Sequence, residues 1–284
     1  VHAARTVAFK QGGTTVLEDV FVEFFGPAGD RSDALRTHRC DYSAQSGDLY
    51  SSGKVEIELN AQADQQAGIS PRRRSSVHLE TSKLSFRQKG WLVVSEEPVR
   101  FRIGSAAGSA RGMAYATKEG WLELKNDISA ELWSQGSTSG QPPLRLTATR
   151  ARYDKQSREV LLWGPVEFSQ GGRRAVGERG RVFLDKENRI THAVLASEVH
   201  ATESSDRSQL EGSAQELRGE FEPLSGALRL VTAVGNVMLA SRQAASITRL
   251  AAQEIRVGFA GAKPRPENGS AALFPSSVHP RQTQ

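Results

Sequence analysis

The residues that most often carry chemistry are thinly spread along this chain of 284 residues. Its histidines are His2, His38, His78, His192, His200 and His279. None forms an H-x-x-x-H pair or joins a Cys/His cluster, the spacings that hold a metal. Glu96-Glu97 is a carboxylate pair, but adjacent strand residues point to opposite faces and cannot act on one substrate atom. No G-x-S-x-G elbow or phosphate loop occurs. Cys40 is the only cysteine, so no intramolecular disulfide can form. Arg72-Arg73-Arg74 is either a solvated loop or a contact for phosphates, which guanidinium groups bind bidentately. The chemistry on offer is binding rather than catalysis, and no cofactor or metal is expected.

The regular spacing in this chain is apolar. Tyr42 precedes Val55, Phe86 precedes Val99, Tyr115 precedes Ile128 and Tyr153 precedes Val166 by one common interval. Phe183 before Val199 and Phe221 before Val237 repeat the relation with a short insertion, and Phe9 to Val20 is a shorter version. Such self-similarity is the mark of repeated supersecondary units. The interval between successive anchors varies, which argues for hairpins joined by variable loops rather than a solenoid of fixed repeat.

Around each anchor the residues alternate with period two. Leu49, Gly53, Val55, Ile57 and Leu59 share one face, opposite Tyr50, Ser52, Lys54, Glu56 and Glu58. Leu122, Leu124, Ile128, Ala130 and Leu132 oppose Glu123, Lys125, Asp127, Ser129 and Glu131. Val99, Phe101 and Ile103 oppose Arg100 and Arg102. This is the pattern of half-buried antiparallel strands. Ser46-Gly47, Lys89-Gly90 and Glu119-Gly120 supply the hairpin turns. Two residues before the anchor stands Gly53, Gly164, Gly235 or Asn126, marking either a bulge or a small residue beneath a neighbour. The predicted fold is all-β: a long twisted antiparallel sheet of repeated hairpins, folded over its apolar face as a sandwich, jelly roll or open groove.

Residues 134–143, Ser134 to Pro143, read as a linker or long loop between residues 1–133 and 144–261. Residues 262–284 are Gly-, Pro- and Ser-rich and read as a disordered tail. The net charge of +5 fits either plain solubility or attraction to an anionic partner. Basic residues are spread over outward faces and offset by Glu and Asp, without interleaved stacking aromatics, so nucleic acid is not an expected partner. No apolar run reaches the roughly 18 residues of a membrane span. The chain opens on Val1, which leaves room for a leader or anchor upstream.

These units resemble a known family. The run His38 to Val55, with Asp41-Tyr42, the Ser46-Gly47 turn and Gly53-Lys54-Val55, is similar to the hairpin unit of the OstA-like lipopolysaccharide-transport proteins. Ala151 to Val166, with Tyr153-Asp154 and Gly164-Pro165-Val166, is another copy. Leu79 to Val99, followed by Gly112 to Ile128, resembles the closing half of the LptC family, and Val7 to Phe25 its opening hairpin. The chain thus looks like an LptC-like part, residues 1–133, extended by LptA-like units over 144–261.

The resemblance implies a slit-like β-jelly roll that stacks edge to edge with other jelly-roll proteins of the exporter. It implies lipopolysaccharide as ligand, with acyl chains inside the slit. It also implies a periplasmic location at the inner membrane and an anchor ahead of Val1. The trough would be lined by Val55, Ile57, Leu59, Val99, Phe101, Ile103, Leu122, Leu124, Ile128, Val160, Leu162, Val166, Phe168, Val199, Val237 and Leu239. The alternation alone favours a dry core of the same residues, and with it a non-conducting envelope scaffold that binds only proteins; the resemblance favours the trough.

Overall fold

The computed structural model describes residues 2–8, 13–25, 32–59, 77–133, 142–205, 208–222, 226–243 and 246–258. Phe9, the Arg72–Arg74 run, Phe259, most of the 134–143 segment and the whole 262–284 segment lie outside them. Among the described residues sixteen strands make one antiparallel sheet, and the one helical element is a single 3₁₀ turn at Gln88–Gly90. The all-β reading from periodicity holds.

The first strands are β1 (His2–Ala8), β2 (Thr14–Phe25), β3 (Ser32–Ser43), β4 (Leu49–Leu59), β5 (Val77–Arg87), β6 (Leu92–Ile103), β7 (Ala106–Ala116) and β8 (Trp121–Leu132). There follow β9 (Leu144–Ala148), β10 (Arg150–Asp154), β11 (Glu159–Gln170), β12 (Arg173–Leu184), β13 (Ile190–Ser204), β14 (Ser208–Phe221), β15 (Leu228–Gln243) and β16 (Ser246–Gly258). Strand order follows chain order except that β9 pairs beside the path, against β11. Two compact units divide the chain. Unit 1 holds residues 1–131 with Ala148–Val160 and Lys186–Asn188; unit 2 holds Leu132–Thr147, Leu161–Asp185 and the residues from Arg189 onward.

The anchor column is the deepest feature of the fold. Val20, Val55, Val99, Ile128, Val166, Val199 and Val237 are each no more than 3% exposed. The residues ahead of them break the ladder. Asp19, Asp127, Glu198 and Asn236 have φ between 49° and 54°, and Gly164 and Gly235 reach 85° and 80°. Register shifts fall between Ser51 and Lys54, Ser95 and Pro98, Ala196 and Val199, and Val234 and Val237. In the column marked by Gly and Asn, two residues before the anchor, Gly164 and Gly235 take positive φ; Asp19, Asp127, Glu198 and Asn236 stand directly before theirs. Asp and Asn tolerate the left-handed region better than other side chains. Gly53 and Asn126 are exceptions, without positive φ.

A bulge strands backbone carbonyls, and unit 1 satisfies them twice in the same way. Thr37 Oγ1 donates to Lys54 O at 3.0 Å and lies 2.8 Å from Ser51 Oγ, which bonds Arg39 O at 3.0 Å. Thr81 Oγ1 donates to Pro98 O at 3.1 Å and lies 3.1 Å from Ser95 Oγ, which bonds Ser82 O at 2.8 Å. Both hydroxyl pairs are buried. The repeat read from aromatics and anchors thus reproduces its polar contacts as well. Bulges bend the strands that carry them, and along this line the sheet of unit 1 folds back on itself. Phe24 of β2 meets Phe86 of β5 with ring centroids 5.2 Å apart, although the two strands are not neighbours in the sheet.

Candidate functional site

The apolar faces of the two units differ in what fills them. In unit 1 the register carries Val22, Leu35, Ile57, Leu79 and Phe101 across five strands as one row. A second row runs Leu49, Phe86, Val93 and Tyr115. Every one of these is buried, Leu79 and Tyr115 at 0% exposure. The next residue in the first row is Gly108, where a Cβ would stand 2.6 Å from the Phe101 ring and 2.2 Å from Ser129 O. At Gly108 the row is filled.

In unit 2 the register gives three rows, each five strands wide. One is Val182, Ala193, Gly219, Val231 and Val257. The next is Gly180, Leu195, Leu217, Ala233 and Ile255, and the third is Ala175, Ala201, Gly212, Leu239 and Leu250. All are apolar. Large and small residues are mixed in these rows, and burial is uneven: Val182, Leu195 and Ile255 are buried, whereas Leu217, Val231, Leu239 and Leu250 are half-buried. Glycines 180 and 212 bring backbone under large neighbours, their Cβ positions 3.1 Å from Leu162 and Val166 and 3.2 Å from Leu239. This inner face is apolar throughout and only partly buried.

The opposite face of unit 2 is polar. Arg181, Val194, Arg218, Thr232 and Arg256 form one row, and Phe183, His192, Glu220 and Leu230 the next. The arginines are held locally: Arg256 pairs with Glu254 at 2.5 Å, Arg218 with Glu216, and Arg181 lies over the Phe183 ring at 5.4 Å. A shallow hollow of about 430 Å³ lies among these side chains.

Of the sequence-predicted trough residues, Val55, Ile57, Leu59, Val99, Phe101, Leu122, Leu124 and Ile128 are buried in unit 1, and Ile103 and Val160 half-buried. Leu162, Val166, Val199 and Val237 are buried in unit 2, where Phe168 and Leu239 are half-buried. Among the described residues no group of three or more His, Cys, Asp or Glu could hold a metal ion.

Sequence reading missed a buried polar cluster in unit 1. Asp33, 1% exposed, accepts hydrogen bonds from the Tyr115 hydroxyl and, at 2.5 Å, from Lys155 Nζ, itself 5% exposed. The Lys155 ammonium also lies 5.9 Å from the Tyr115 ring centre. Nearby in the same unit the Tyr153 hydroxyl donates to Asn188 Oδ1 at 3.1 Å, and burial pushes the Tyr153 phenol up to about 12. The partners are too far apart in sequence for any local pattern to announce them. Asp33 stands near an arginine-flanked loop and Lys155 in a polar turn, and both read as surface residues.

Residues 1–132 match the family described as lipopolysaccharide-assembly, LptC-related. Comparison with curated proteins finds no match. Among solved structures, the crystal structure of LptH, the LptA homologous periplasmic component of the lipopolysaccharide transport device from Pseudomonas aeruginosa, matches at 14% identity. The alignment covers 45% of this chain and 87% of that one, with a TM-score of 0.34.

Proposed function

From residues 1–132, which are LptC-related, we propose that the chain is a periplasmic component of lipopolysaccharide transport and holds acyl chains on the inner face of unit 2. The observation that carries this reading is the contrast between the units. Unit 1 fills its apolar face with large buried side chains, while unit 2 leaves Leu217, Val231, Leu239 and Leu250 half-exposed beside glycine and alanine. An apolar face open to water costs free energy that a bound acyl chain recovers, at about 0.8 kcal/mol per CH₂ buried. A chain several methylenes long therefore stabilises both itself and the sheet. The three uncharged rows run across β12 to β16, giving a lipid tail a continuous path.

The edges of the sheet fit the same role. Among the described residues β1 and β16 each have one hydrogen-bonded neighbour, so each would offer a free ladder to a further β-jelly-roll protein. Inner-membrane association would place the LptC-related unit near the lipid source. Photo-reactive residues test the ligand assignment. Placed at Val231 and Leu239, on the inner face, they are expected to label lipopolysaccharide. Placed at Arg218 and Thr232, on the outer face, they are expected not to. Equal labelling of both faces would show adsorption, and labelling of neither in a folded chain supplied with lipid would favour a protein-binding scaffold.

A further inference from the structure

Resting on the lipid reading above, we propose that Asp33, Tyr115 and Lys155 form a clasp that holds the folded sheet of unit 1 shut, and that releasing it opens the inner face of unit 1 to acyl chains. The clasp sits where a closure would have to sit. Register shifts run in line across β3 to β7, between Thr37 and Asp41, Ser51 and Lys54, Glu80 and Ser85, and Ser95 and Pro98. They divide these strands into two halves. Asp33 lies in the half that carries Leu35, Ile57, Leu79 and Phe101; Tyr115 lies in the half that carries Leu49, Phe86 and Val93. The hydrogen bond between Tyr115 and Asp33 therefore joins one half to the other, and the Phe24–Phe86 contact lies across the same mouth. A sheet hinges most readily where its ladder is already broken.

The chemistry of the clasp distinguishes it from ordinary packing. Phe24 and Phe86 could have been joined by further apolar residues at no desolvation cost. Instead a carboxylate and an ammonium are taken out of water, and such a pair often adds no more stability than a well-packed apolar substitute. What it supplies is one defined closed geometry with two strong, directional bonds, and an open state in which both charges regain water. An apolar closure has no such compensated open state. Two of the three partners reach Asp33 from β7 and from the turn after β10, so the closed state also requires residues beyond β8. Beneath the clasp, Ile57, Leu79 and Phe101 form an uncharged row of the same kind as the rows of unit 2.

Cys40 is a built-in reporter. It is the only cysteine, lies on the broken part of β3, is 3% exposed, and burial together with the Asp41 charge pushes its thiol up to about 11. The test compares the full chain with a triple variant, Asp33→Leu with Tyr115→Phe and Lys155→Met, which replaces both charged members of the clasp together. Maleimide labelling of Cys40 is expected to be at least about tenfold faster in the variant and insensitive to low urea, the signature of local rather than global opening. A photo-reactive phenylalanine at Phe101 is expected to capture lipopolysaccharide in the variant far more than in the native chain. An unchanged Cys40 rate overturns the clasp, as does a faster rate that climbs steeply with urea. Equal capture at Phe101 in both proteins, or capture in neither while a probe at Leu239 is labelled, overturns the opening to lipid. Absence of labelling at Leu239 in both proteins is a failure of the lipid reading itself, and the Cys40 rates then still decide the clasp.

Discussion

Truncating one leucine in each unit should have very different consequences. Leu79 is 0% exposed and sits in the row between Ile57 and Phe101. Leu79→Ala removes a buried side chain from a face whose neighbours, down to the backbone beside Gly108, cannot move in to fill the gap. The loss is the transfer term plus a cavity term, about 2–5 kcal/mol. Leu239 occupies the matching kind of position in unit 2 but is half-buried, beside Gly212 and Leu250. Leu239→Ala gives up part of a transfer term and creates no enclosed cavity, a cost of about 1 kcal/mol. Urea unfolding followed by circular dichroism, with hydrogen exchange to report each unit separately, measures both. With lipopolysaccharide present the order of interest changes: stabilisation by ligand should fall in Leu239→Ala and persist in Leu79→Ala wherever the latter remains folded. Equal destabilisation by the two substitutions would mean that the inner face of unit 2 is packed like that of unit 1, and the trough would be refuted.

Gly108→Ala drives a methyl group against Ser129 O, Ala130 Cα and the Phe101 ring and should cost about 1–3 kcal/mol, whereas Gly212→Ala meets only Leu239 Cδ1 and Met238 O at ordinary or slightly tight distance and should be near neutral by thermal melting. Asp127→Val places a β-branched residue at φ 53° and should lower stability by about 1–2 kcal/mol, while Asp127→Gly should not. Cys40 and Tyr153 both have raised values in the folded chain, so the unfolded state gives up its protons first. Their contribution is complete below pH 9.0 and is lost as pH rises through about 11 and then about 12; urea midpoints taken across that range should fall, and Cys40→Ala should flatten the earlier part of the decline.

Much of this architecture was legible in the residues. Alternation around Val55, Val99 and Ile128 identified strands because a half-buried sheet has a strict period of two, and every anchor proved buried. Of the Gly and Asn column, Gly164 and Gly235 take positive φ and Gly53 and Asn126 do not, while Asp19, Asp127 and Glu198 take it outside that column. What alternation could not distinguish was a fully buried face from a half-buried one. Leu79 and Leu239 present the same apolar side to their strands, and the difference lies in the cross-strand neighbours, which only register reveals. The aromatic column was weaker than the anchors. Phe86, Tyr115 and Tyr153 are buried, but Phe183 lies on the polar face with His192 and beneath Arg181. Inserted residues ahead of Val199 shift parity, so an aromatic at the expected interval can face the other way. The Asp33 cluster was invisible for a different reason: charged residues read as surface until a distant partner is known, and its partners stand 82 and 122 residues away.

Filling the trough tests most directly whether unit 2 holds acyl chains. Ala201→Phe and Ala233→Phe, singly and together, place large apolar groups on its half-buried inner rows beside Gly212 and Leu217. Binding of lipopolysaccharide by the purified chain, read alongside the melting temperature, should fall at least about tenfold, the loss that accompanies displacement of a couple of buried methylenes, while the melting temperature stays near that of the native chain. Undiminished binding by the folded double variant would contradict the assignment of acyl chains to this face.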